Sequence, residues 1–563
     1  MNALVPLPVL LPLFATGLSL AAGIRLKRFQ RFISVAVLTA VVVISVVLMI
    51  AADDGPLSVH LGDFAPPLGI TLVADRLSGL MLTVSSLVTL CVLVYSLGQG
   101  MADKDDETPL AVFHPAYLIL VAGIACTFLA GDLMNLFVGF EIMLVSSFVL
   151  LTLGGTGPRI RAGSTYVIIS LLSSMIFLVA IAITYAATGT VNFAQLAERF
   201  DDLSLGVTTL VQAMLLTVFG IKAAVFPVAA WVPDSYPTAP APVTAVFAGL
   251  LTKVGVYCML RTETLLFPGN RLGNLLLVVA LASMIIGILG AVAQTDLKRL
   301  LSFTLISHIG YMVFGIGLAD RAGIGGAIVY VVHHITVQTT LFLVAGLIER
   351  RGGTTELTRL GGLARSAPLL SLLFFVPAMN IAGIPPFSGF IGKLALMRAG
   401  VDNGSVLAWV LVGGSTLTSL LTLYVVVKVW NLAFWRSEPP GQAAEGTVME
   451  SQEDDADDAD DADDDADDAD DDAADEGGPA VTPQDDQGVP VRPGGGQVVA
   501  TSITGKAVTT TKRPPRTMLA ATAATVVLGL SYTVLAGPLA AYTDRSAQEL
   551  LTRTPYIEEV LRP

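Results

Sequence analysis

Charge and cysteine are scarce in this 563-residue sequence. Charged residues make up 14% of the chain, whereas hydrophobic residues make up 53%. The three cysteines, Cys91, Cys126 and Cys258, lie in separate apolar runs with no shared spacing, which argues against a disulfide framework or a zinc site. The sequence shows no nucleophile–base constellation, phosphate-binding loop, haem motif or iron–sulfur motif. We therefore expect neither a soluble-type enzyme nor a bound metal or cofactor, and no nucleic-acid partner.

Long polar interruptions are also rare. Apolar runs of about 20 residues, enough to cross ~30 Å of hydrocarbon, recur along the chain and indicate an all-α polytopic membrane protein. The first run lacks a basic flank and a small-residue cleavage site, so we interpret it as a span rather than a signal peptide. Hydrophobic windows predict about fourteen transmembrane helices, at 4–24, 32–52, 76–98, 115–131, 134–153, 165–187, 207–231, 243–262, 273–294, 302–318, 327–348, 368–399, 406–434 and 517–540.

The distribution of lysine and arginine predicts how these spans are oriented. Cytoplasmic loops of membrane proteins carry more of these residues than the loops on the other side. The loops that follow odd-numbered spans are the richer ones, and the first of them carries Arg25, Lys27, Arg28 and Arg31. The opposite loops contain mainly single arginines. We therefore expect the odd loops in the cytoplasm and both chain termini outside.

One segment accounts for the acidity of the chain. Residues 453–476 hold seventeen acidic side chains and no basic one, so the formal net charge of −14 says little about the near-neutral membrane body. The surrounding segment, 436–516, contains almost no large apolar residues and is predicted to be a disordered cytoplasmic linker. A solvated tether is the plain interpretation. Accumulation of cations near an entrance and docking to a basic partner are the alternatives.

Ionisable residues inside the predicted spans are costly to bury and are therefore candidate functional residues. Glu141 lies near the middle of its span, and Lys222 is its natural partner. The two could form a static pair that pins neighbouring helices, or a switchable pair in which protonation of one residue affects the other. Lys253 follows a stretch with five prolines, 227–242. A lysine buried there could release and rebind a proton.

Two predicted spans, 207–231 and 368–399, contain prolines and are expected to be broken helices. Lys393 lies seven residues after Pro386. A proline pair unwinds a helix and exposes carbonyl groups that only a polar cavity tolerates. A lysine on a broken helix that recurs five spans later, as Lys222 and Lys393 do, is typical of an inverted-topology repeat.

This pattern predicts five segments along the chain. They are 1–110 with the first three helices, 111–262 as the first five-helix repeat, 263–435 as the second five-helix repeat, 436–516 as the acidic linker, and 517–563 as the fourteenth helix and tail.

Histidines lie between the lysine-bearing spans. His308 is in one span, and His333 and His334 are in the next. Because histidine titrates near neutral pH, the three could form a proton relay, although each could instead be a hydrogen-bonded core residue. Shared zinc binding by the adjacent pair is improbable because neighbouring helical residues point about 100° apart. Lys428, near a span end, is expected to be structural.

At these residues the sequence resembles the proton-translocating, antiporter-like subunits shared by respiratory complex I, membrane-bound hydrogenases and Mrp-type cation/proton antiporters. The stretch WVPDSYPTAPAPVTAVFAGLLTKVGVY at 231–257 carries the resemblance most strongly, and GIPPFSGFIGKLAL at 383–396 supports it. FEIMLVSSFVLL at 140–151, YVVVKVWNLAFW at 424–435 and the tail at 544–561 favour the D subunits of Mrp-type antiporters.

The resemblance implies fourteen helices, the seventh and twelfth of them broken, and a polar axis in the middle of the membrane. By position it assigns proton-relay roles to Glu141, Lys222, Lys253 and Lys393. It also implies a hetero-oligomeric complex with other Mrp subunits in the plasma membrane, which exchanges cytoplasmic Na⁺ for external H⁺. Gln338 stands where relatives commonly carry a lysine, so His333, His334 or ordered water would have to bridge that position.

Two alternatives stay open at this point. The chain could be a proton-pumping subunit of a redox-driven complex whose redox centres belong to other chains. It could also be an assembly scaffold in which the buried charges only lock helices together.

Overall fold

The computed structural model describes residues 1–23, 26–99, 112–437 and 514–562. The acidic tract 453–476, nearly all of the predicted linker, and Arg25 lie outside these described residues. The described residues up to Arg436 and from 514 onward belong to one unit of packed helices.

Helices form nearly all of this unit. In chain order they are α1 (Leu7–Ala22), α2 (Lys27–Ala51), α3 (Arg76–Gln99), α4 (Phe113–Leu129), α5 (Leu133–Thr152), α6 (Gly157–Thr188), α7 (Phe193–Arg199), α8 (Leu205–Ala223), α9 (Trp231–Ser235), α10 (Ala241–Val246), α11 (Thr252–Leu265), α12 (Gly273–Ala293), α13 (Leu297–Leu318), α14 (Arg321–Gly352), α15 (Leu363–Ser366), α16 (Pro368–Ala382), α17 (Ser388–Asn403), α18 (Val406–Val429), α19 (Arg516–Val534), α20 (Ala536–Thr552) and α21 (Thr554–Leu561).

The helices are long and apolar enough for a polytopic membrane protein, as predicted. Within the described ranges, twelve helical stretches could cross a membrane by length and composition, and α4 and α16 are shorter apolar helices. Each of the fourteen predicted ranges overlaps one of these helices. The all-α membrane fold is therefore confirmed, while the span count of fourteen and the pair of inverted repeats stay predictions.

Aspartates begin three of the central helices. The side chains of Asp132, Asp296 and Asp320 each accept a hydrogen bond from a backbone N–H in the first turn of α5, α13 and α14. An aspartate in this position satisfies an N–H group that the helix itself leaves free, and it favours the positive end of the helix dipole. These residues fix where the three helices start.

The core of the bundle lies around α11, α13 and α14. Nearly all residues of these three helices are buried, including polar ones. In contrast, α6 and α18 expose large apolar side chains along one face, among them Ile168, Met175, Trp409 and Leu420. A surface of this kind suits contact with lipid or with another membrane protein.

Both predicted breaks are present. At the first break, helix α8 ends at Ala223, and the next residue, Ala224, has a left-handed backbone conformation with φ 59°. The proline-rich stretch that follows forms the short helices α9 and α10 with a 3-10 turn, Tyr236–Thr238, between them, and a π-helical turn, Phe247–Leu251, then leads into α11. Since proline cannot donate the next backbone hydrogen bond, a continuous helix cannot form there.

The second break separates α16 from α17. Gly383 ends α16 with a φ of 84°, and Pro385 and Pro386 follow before α17 begins at Ser388. A residue without a Cβ is favoured at such a positive φ. The sequence prediction of two proline-broken helices therefore agrees with the described backbone.

A small β-hairpin was not predicted. Strands β1 (Leu57–His60) and β2 (Thr71–Ala74) pair antiparallel at the end of the bundle where the N-terminus lies. The tail helices α20 and α21 pack on the same end. Ser58 of β1 donates a hydrogen bond to the backbone carbonyl of Glu559 in α21 at 3.2 Å. We call this end of the bundle the terminal face. According to the predicted orientation, it points outward.

Ion pairs join the tail to the terminal face. Arg76 contacts both Asp53 and Glu549, and Arg545 contacts Asp53 at 2.8 Å. The hydrogen bonds from Arg545 lower the pKa of Asp53 below its usual value. Through these contacts α20 packs across the terminal face as a separate amphipathic helix. The sequence analysis had not predicted this helix and ended the last span at residue 540.

A buried ion pair lies beneath the tail. Arg261, near the end of α11, binds Asp75 through both terminal nitrogens at 2.5 and 2.8 Å, and the two residues are 4% and 1% exposed. The ring of Tyr556 in α21 covers the guanidinium at 5.1 Å. Bidentate pairing with a carboxylate is the strongest hydrogen bonding available to a buried arginine. The pair fixes the end of α11 that lies at the terminal face.

The close packing of α8 and α11 gives a test of the fold. A Cβ at Gly255 would lie 2.6 Å from the backbone nitrogen of Ala223, whereas a Cβ at Gly413 would meet no atom within 4 Å. We expect Gly255→Ala to lower the stability of the protein by about 1–3 kcal/mol because the two backbones must move apart. Gly413→Ala, the control, should leave the thermal midpoint of the detergent-solubilised protein unchanged or slightly raised. Equal midpoints for both variants would contradict this packing.

Candidate functional site

The seven residues singled out in the sequence all belong to the helices around the core. We call them the buried axis: Glu141, Lys222, Lys253, His308, His333, His334 and Lys393. The helices that carry them are α5, α8, α11, α13 and α14, together with α17 after the second break.

The first part of the axis lies between α5, α6 and α8. The Glu141 carboxylate accepts a hydrogen bond from Ser174 of α6. The Lys222 ammonium, in the last turn of α8, lies 5.5 Å from the centre of the Phe140 ring. The charge of Glu141 reaches Lys222, but these two described side chains form no direct ion pair. The static ion pair considered from the sequence is therefore not the arrangement described here.

A small cavity adjoins Lys222. It has a volume of about 20 Å³, and its polar lining comes from Tyr166, Ser170, Lys222 and Trp231. A cavity of this size has room for roughly one water molecule. The wall of this cavity is mainly apolar and includes Phe140. The electron-rich face of the Phe140 ring attracts the ammonium group.

Lys253 is fully buried at the start of α11. Its ammonium donates a hydrogen bond to the backbone carbonyl of Ala248 in the π-helical turn Phe247–Leu251. The wider turn changes which carbonyl groups remain free, and π-helical turns are frequent at functional sites. The π-helical turn therefore provides the oxygen acceptor for this fully buried lysine.

Two of the histidines lie against each other in the interior of the bundle. The rings of His308 and His334 lie 5.2 Å apart between centres. His308 Nδ1 lies 2.5 Å from the hydroxyl oxygen of Tyr330. Two neighbouring helices, α13 and α14, thus bring a histidine pair and a tyrosine together.

His333 points in a different direction from His334. Its Nδ1 lies 3.0 Å from the hydroxyl of Ser388, the first residue of α17. Asn380, on α16, accepts hydrogen bonds from Ser388 and from the backbone of Gly389. His333 therefore contacts the second break, whereas His334 faces His308. This divergence is expected for adjacent residues of a helix.

The side chain of Lys393, on α17, reaches into the second break. Its ammonium donates to the carbonyls of Ile381 and Ala382 at 3.0 and 3.1 Å, and lies 5.1 Å from the centre of the Tyr311 ring. These carbonyls end α16, where the helix dipole is negative and favours a cation. Lys393 on α17 thus binds the free end of α16 across the break.

Several buried nitrogen and oxygen atoms of this region have no hydrogen-bond partner among the described residues. They are His308 Nε2, His333 Nε2, both ring nitrogens of His334, and Gln338 Oε1. Buried polar atoms are normally satisfied in native proteins. Their concentration on α13 and α14 marks the interior between the two breaks as a polar, hydrogen-bonding region.

Gln338 lies beside this region. Its amide nitrogen donates to the carbonyl of Leu301 on α13 at 2.9 Å, and the side chain is fully buried. This hydrogen bond joins α14 to α13. His334 lies one turn earlier on α14. The expected bridging role of the histidines stays a prediction.

Two other charged residues of the sequence analysis lie apart from the axis. Lys428 donates to the carbonyls of Val292 and Gln294 at the end of α12, at 3.0 and 2.8 Å. Asp234 forms an exposed ion pair with Arg299 at 3.1 Å. Both contacts hold helix ends or surface segments together.

Sequence reasoning missed the aromatic and hydroxyl residues that line the axis. Tyr330, Tyr311, Ser174 and Ser388 were not predicted. Tyr330 lies three residues before His333 on α14, a spacing that places two side chains on one helix face. That spacing was the available signal for Tyr330. The others depend on contacts between helices.

The arrangement suits proton transfer rather than covalent chemistry. Its groups are amines, imidazoles and hydroxyls at hydrogen-bonding or short electrostatic distance, and the amines and imidazoles can take up and release protons. Within the described ranges, no group of three or more histidine, cysteine, aspartate or glutamate side chains has the geometry to hold a metal ion.

Comparison with known proteins adds a family to this geometry. Residues 130–419 match the family described as NADH:quinone oxidoreductase/Mrp antiporter. The D subunit of the Na(+)/H(+) antiporter of Alkalihalophilus pseudofirmus is 40% identical over 440 residues, which are 77% of this chain and 87% of that protein. The corresponding D subunit of Bacillus subtilis is 33% identical over 441 residues, which are 78% of this chain and 88% of that protein.

Solved structures share the fold. A chain of the Mrp complex from Dietzia sp. DQ12-45-1b superposes with a TM-score of 0.81 at 30% identity and covers 100% of this chain and 99% of its own length. A chain of respiratory complex I from Thermus thermophilus superposes with a TM-score of 0.67 at 24% identity and covers 80% of this chain and 94% of its own length. The second likeness concerns the fold alone.

The contact between Lys393 and α16 can be tested at Gly383. A Cβ at this residue would lie 2.9 Å from Lys393 Cδ, whereas Gly404, with φ 71°, has nothing within 4 Å. Alanine at either position should lower the free energy of unfolding by roughly 1–2 kcal/mol because of the left-handed backbone. Gly383→Ala should lower it by about 1–3 kcal/mol more, because the added Cβ clashes with the side chain of Lys393.

Thermal unfolding of both variants, with and without Lys393→Ala, measures that difference. The additional cost of Gly383→Ala should disappear in the Lys393→Ala background, as expected for residues in contact. An additional cost that persists without the lysine would show that the contact is not the cause.

Proposed function

The chain belongs to the family of membrane subunits shared by NADH:quinone oxidoreductases and Mrp antiporters, and we propose that it is the D subunit of an Mrp-type antiporter that exchanges cytoplasmic Na⁺ for external H⁺. It is a multi-span protein of the bacterial plasma membrane and a transporter subunit rather than an enzyme. Its partners are the other subunits of the antiporter.

The buried axis is the observation that carries the proposal. Three lysines and three histidines lie on the helices around the core; Lys253, Lys393 and the three histidines are buried, and Lys222 is partly buried. Burying this many titratable groups is costly for a membrane protein, so a purely structural bundle would not retain them without a role. We assign to the axis the transfer of protons that drives cation exchange.

Protonation at one lysine would affect the next by repulsion. A proton on one amine or imidazole of the axis would disfavour a positive charge on a neighbouring one, because like charges repel. Each charge that moves through the membrane field is worth ~2.3 kcal/mol per 100 mV. That is comparable with a change of nearly two pKa units, so the membrane potential can shift protons along such an axis.

Backbone carbonyls give two of the lysines a defined resting position. Lys253 is held by the carbonyl of Ala248, and Lys393 by the carbonyls of Ile381 and Ala382. A neutral amine needs such acceptors less than an ammonium does. Loss of the proton therefore frees the side chain to move towards the neighbouring polar groups, which couples protonation to a local rearrangement.

The family description includes NADH:quinone oxidoreductases and so leaves a second candidate, a proton-pumping subunit of a redox-driven complex. The same axis would serve it. The genes next to this one distinguish the two, since small membrane subunits of an antiporter point to exchange and quinone- or NADH-handling subunits point to redox pumping.

An assembly scaffold is the candidate from another class. If the charges only lock helices together, neutral substitutions of matched volume at Lys253 and Lys393 should lower the yield of the complex and leave the activity per assembled complex unchanged.

Lys222 and Glu141 provide the direct test of the antiport function. In everted membrane vesicles, Lys222→Met and Glu141→Gln should reduce Na⁺-dependent proton exchange by at least about tenfold, because each removes a protonatable group from the axis. The amount of assembled complex should stay unchanged.

Lys428→Met is the matched control. It removes a lysine that binds backbone carbonyls outside the axis, so exchange per assembled complex should be preserved. Normal exchange in Lys222→Met would contradict the assignment of this lysine, and an equal loss in Lys428→Met would show that the effect is a general one of removing lysines.

A further inference from the structure

A second buried carboxylate lies between α8 and α11, near the terminal face. Glu263 is 8% exposed and lies two residues before the end of α11. It accepts a hydrogen bond from the amide nitrogen of Gln212 on α8, at 2.8 Å, and Gln212 is fully buried. An ionisable residue inside a membrane bundle is a candidate functional residue by default.

The hydrogen bonding of this pair is half complete. Gln212 Nε2 donates to Glu263 Oε2, whereas Glu263 Oε1 and Gln212 Oε1 are both buried without a partner among the described residues. Two bare oxygen acceptors on the same pair of side chains would repel each other, and each would carry the cost of a buried unsatisfied group.

A single proton removes this conflict. When Glu263 is protonated on Oε1, that oxygen becomes a donor, and Gln212 Oε1 is the acceptor on the facing side chain. The carboxylic acid and the amide then form two complementary hydrogen bonds. The ionised carboxylate has only one of them.

The charges around Glu263 do not stabilise its ionised form. Arg261, two residues earlier on α11, is bound to Asp75. Arg553 of the tail donates to the carbonyl of Leu265 at 3.3 Å and lies 3.7 Å from Asp201. The facing helix α8 contributes the neutral Gln212. Both nearby arginines thus already have anionic partners.

Gln212 and Glu263 lie on the same two helices, α8 and α11, that carry Lys222 and Lys253. Gln212 precedes Lys222 by ten residues on α8, and Glu263 follows Lys253 by ten residues on α11. Ten helical residues correspond to roughly 15 Å. The two helices are in close contact at Gly255 and Ala223, near the lysines. Glu263 therefore lies between the terminal face and the lysine-bearing ends of both helices.

From this geometry we propose that Glu263 and Gln212 form a proton-binding site. Its neutral carboxyl holds the proton that passes between the terminal face and the two lysines, Lys222 and Lys253. The inference rests on the proposed antiport function and extends it by a site outside the buried axis. The ligand of the site is a proton, taken up as the acid–amide pair closes and released as it opens.

Glu263→Gln tests both parts of this proposal. Glutamine has the shape of the protonated acid and can form the same two hydrogen bonds with Gln212, but it cannot release a proton. In vesicles, the complex should therefore assemble at the wild-type level, while Na⁺-dependent proton exchange falls at least about tenfold. The dependence of the rate on external pH should become flatter. Glu263→Asp, which keeps a titratable carboxyl, should restore part of the rate.

Asp544→Asn is the matched control because it removes a carboxylate from an exposed ion pair with Arg321 on the same face. It should leave both the rate and the pH profile unchanged. Wild-type exchange in Glu263→Gln at every pH would overturn the proposal. Failure of Glu263→Gln to assemble would also overturn it, because the neutral isostere should satisfy the pair. Absence of exchange in the wild-type complex would instead refute the antiport function itself.

Discussion

Two buried lysines in this protein bind backbone carbonyls at points where the helices are irregular. In a regular helix each carbonyl accepts from a later N–H group, so none remains for a side chain in an apolar interior. The π-helical turn before α11 supplies the acceptor of Lys253, and the end of α16 supplies the acceptors of Lys393. A π-helical turn and a proline-containing break thus provide the binding sites for these two ammonium groups.

The two halves use this device differently. Lys222, at the end of α8, lies over Phe140 and beside a small, mainly apolar cavity, whereas Lys393 reaches back across its break to the preceding helix. Lys253 and the histidines of α13 and α14 occupy the most buried part of the bundle. Each lysine therefore has its own surroundings, and among its described residues the structure gives none of the three an ion pair.

The sequence was sufficient to predict the all-α membrane fold and both breaks, because each rests on a local signal. Apolar runs predict spans and prolines predict breaks. A lysine in an apolar run is also a local signal, but the functional role of the seven axis residues stays a prediction. The hairpin at 57–74, the partner of Arg261 and the pairing of Gln212 with Glu263 were missed. These contacts join residues far apart in the chain, and no periodic pattern reports which helices become neighbours.

The central claim is that the buried axis works by releasing and rebinding protons, and Lys253→Arg tests it most directly. Arginine keeps the positive charge and the capacity to bind the Ala248 carbonyl, but it does not deprotonate in proteins. The measurement is Na⁺-dependent proton flux in liposomes that contain the purified complex. The account predicts normal assembly with flux reduced to the background of empty liposomes. Flux near the wild-type level in Lys253→Arg would contradict it, since a fixed charge would then be enough.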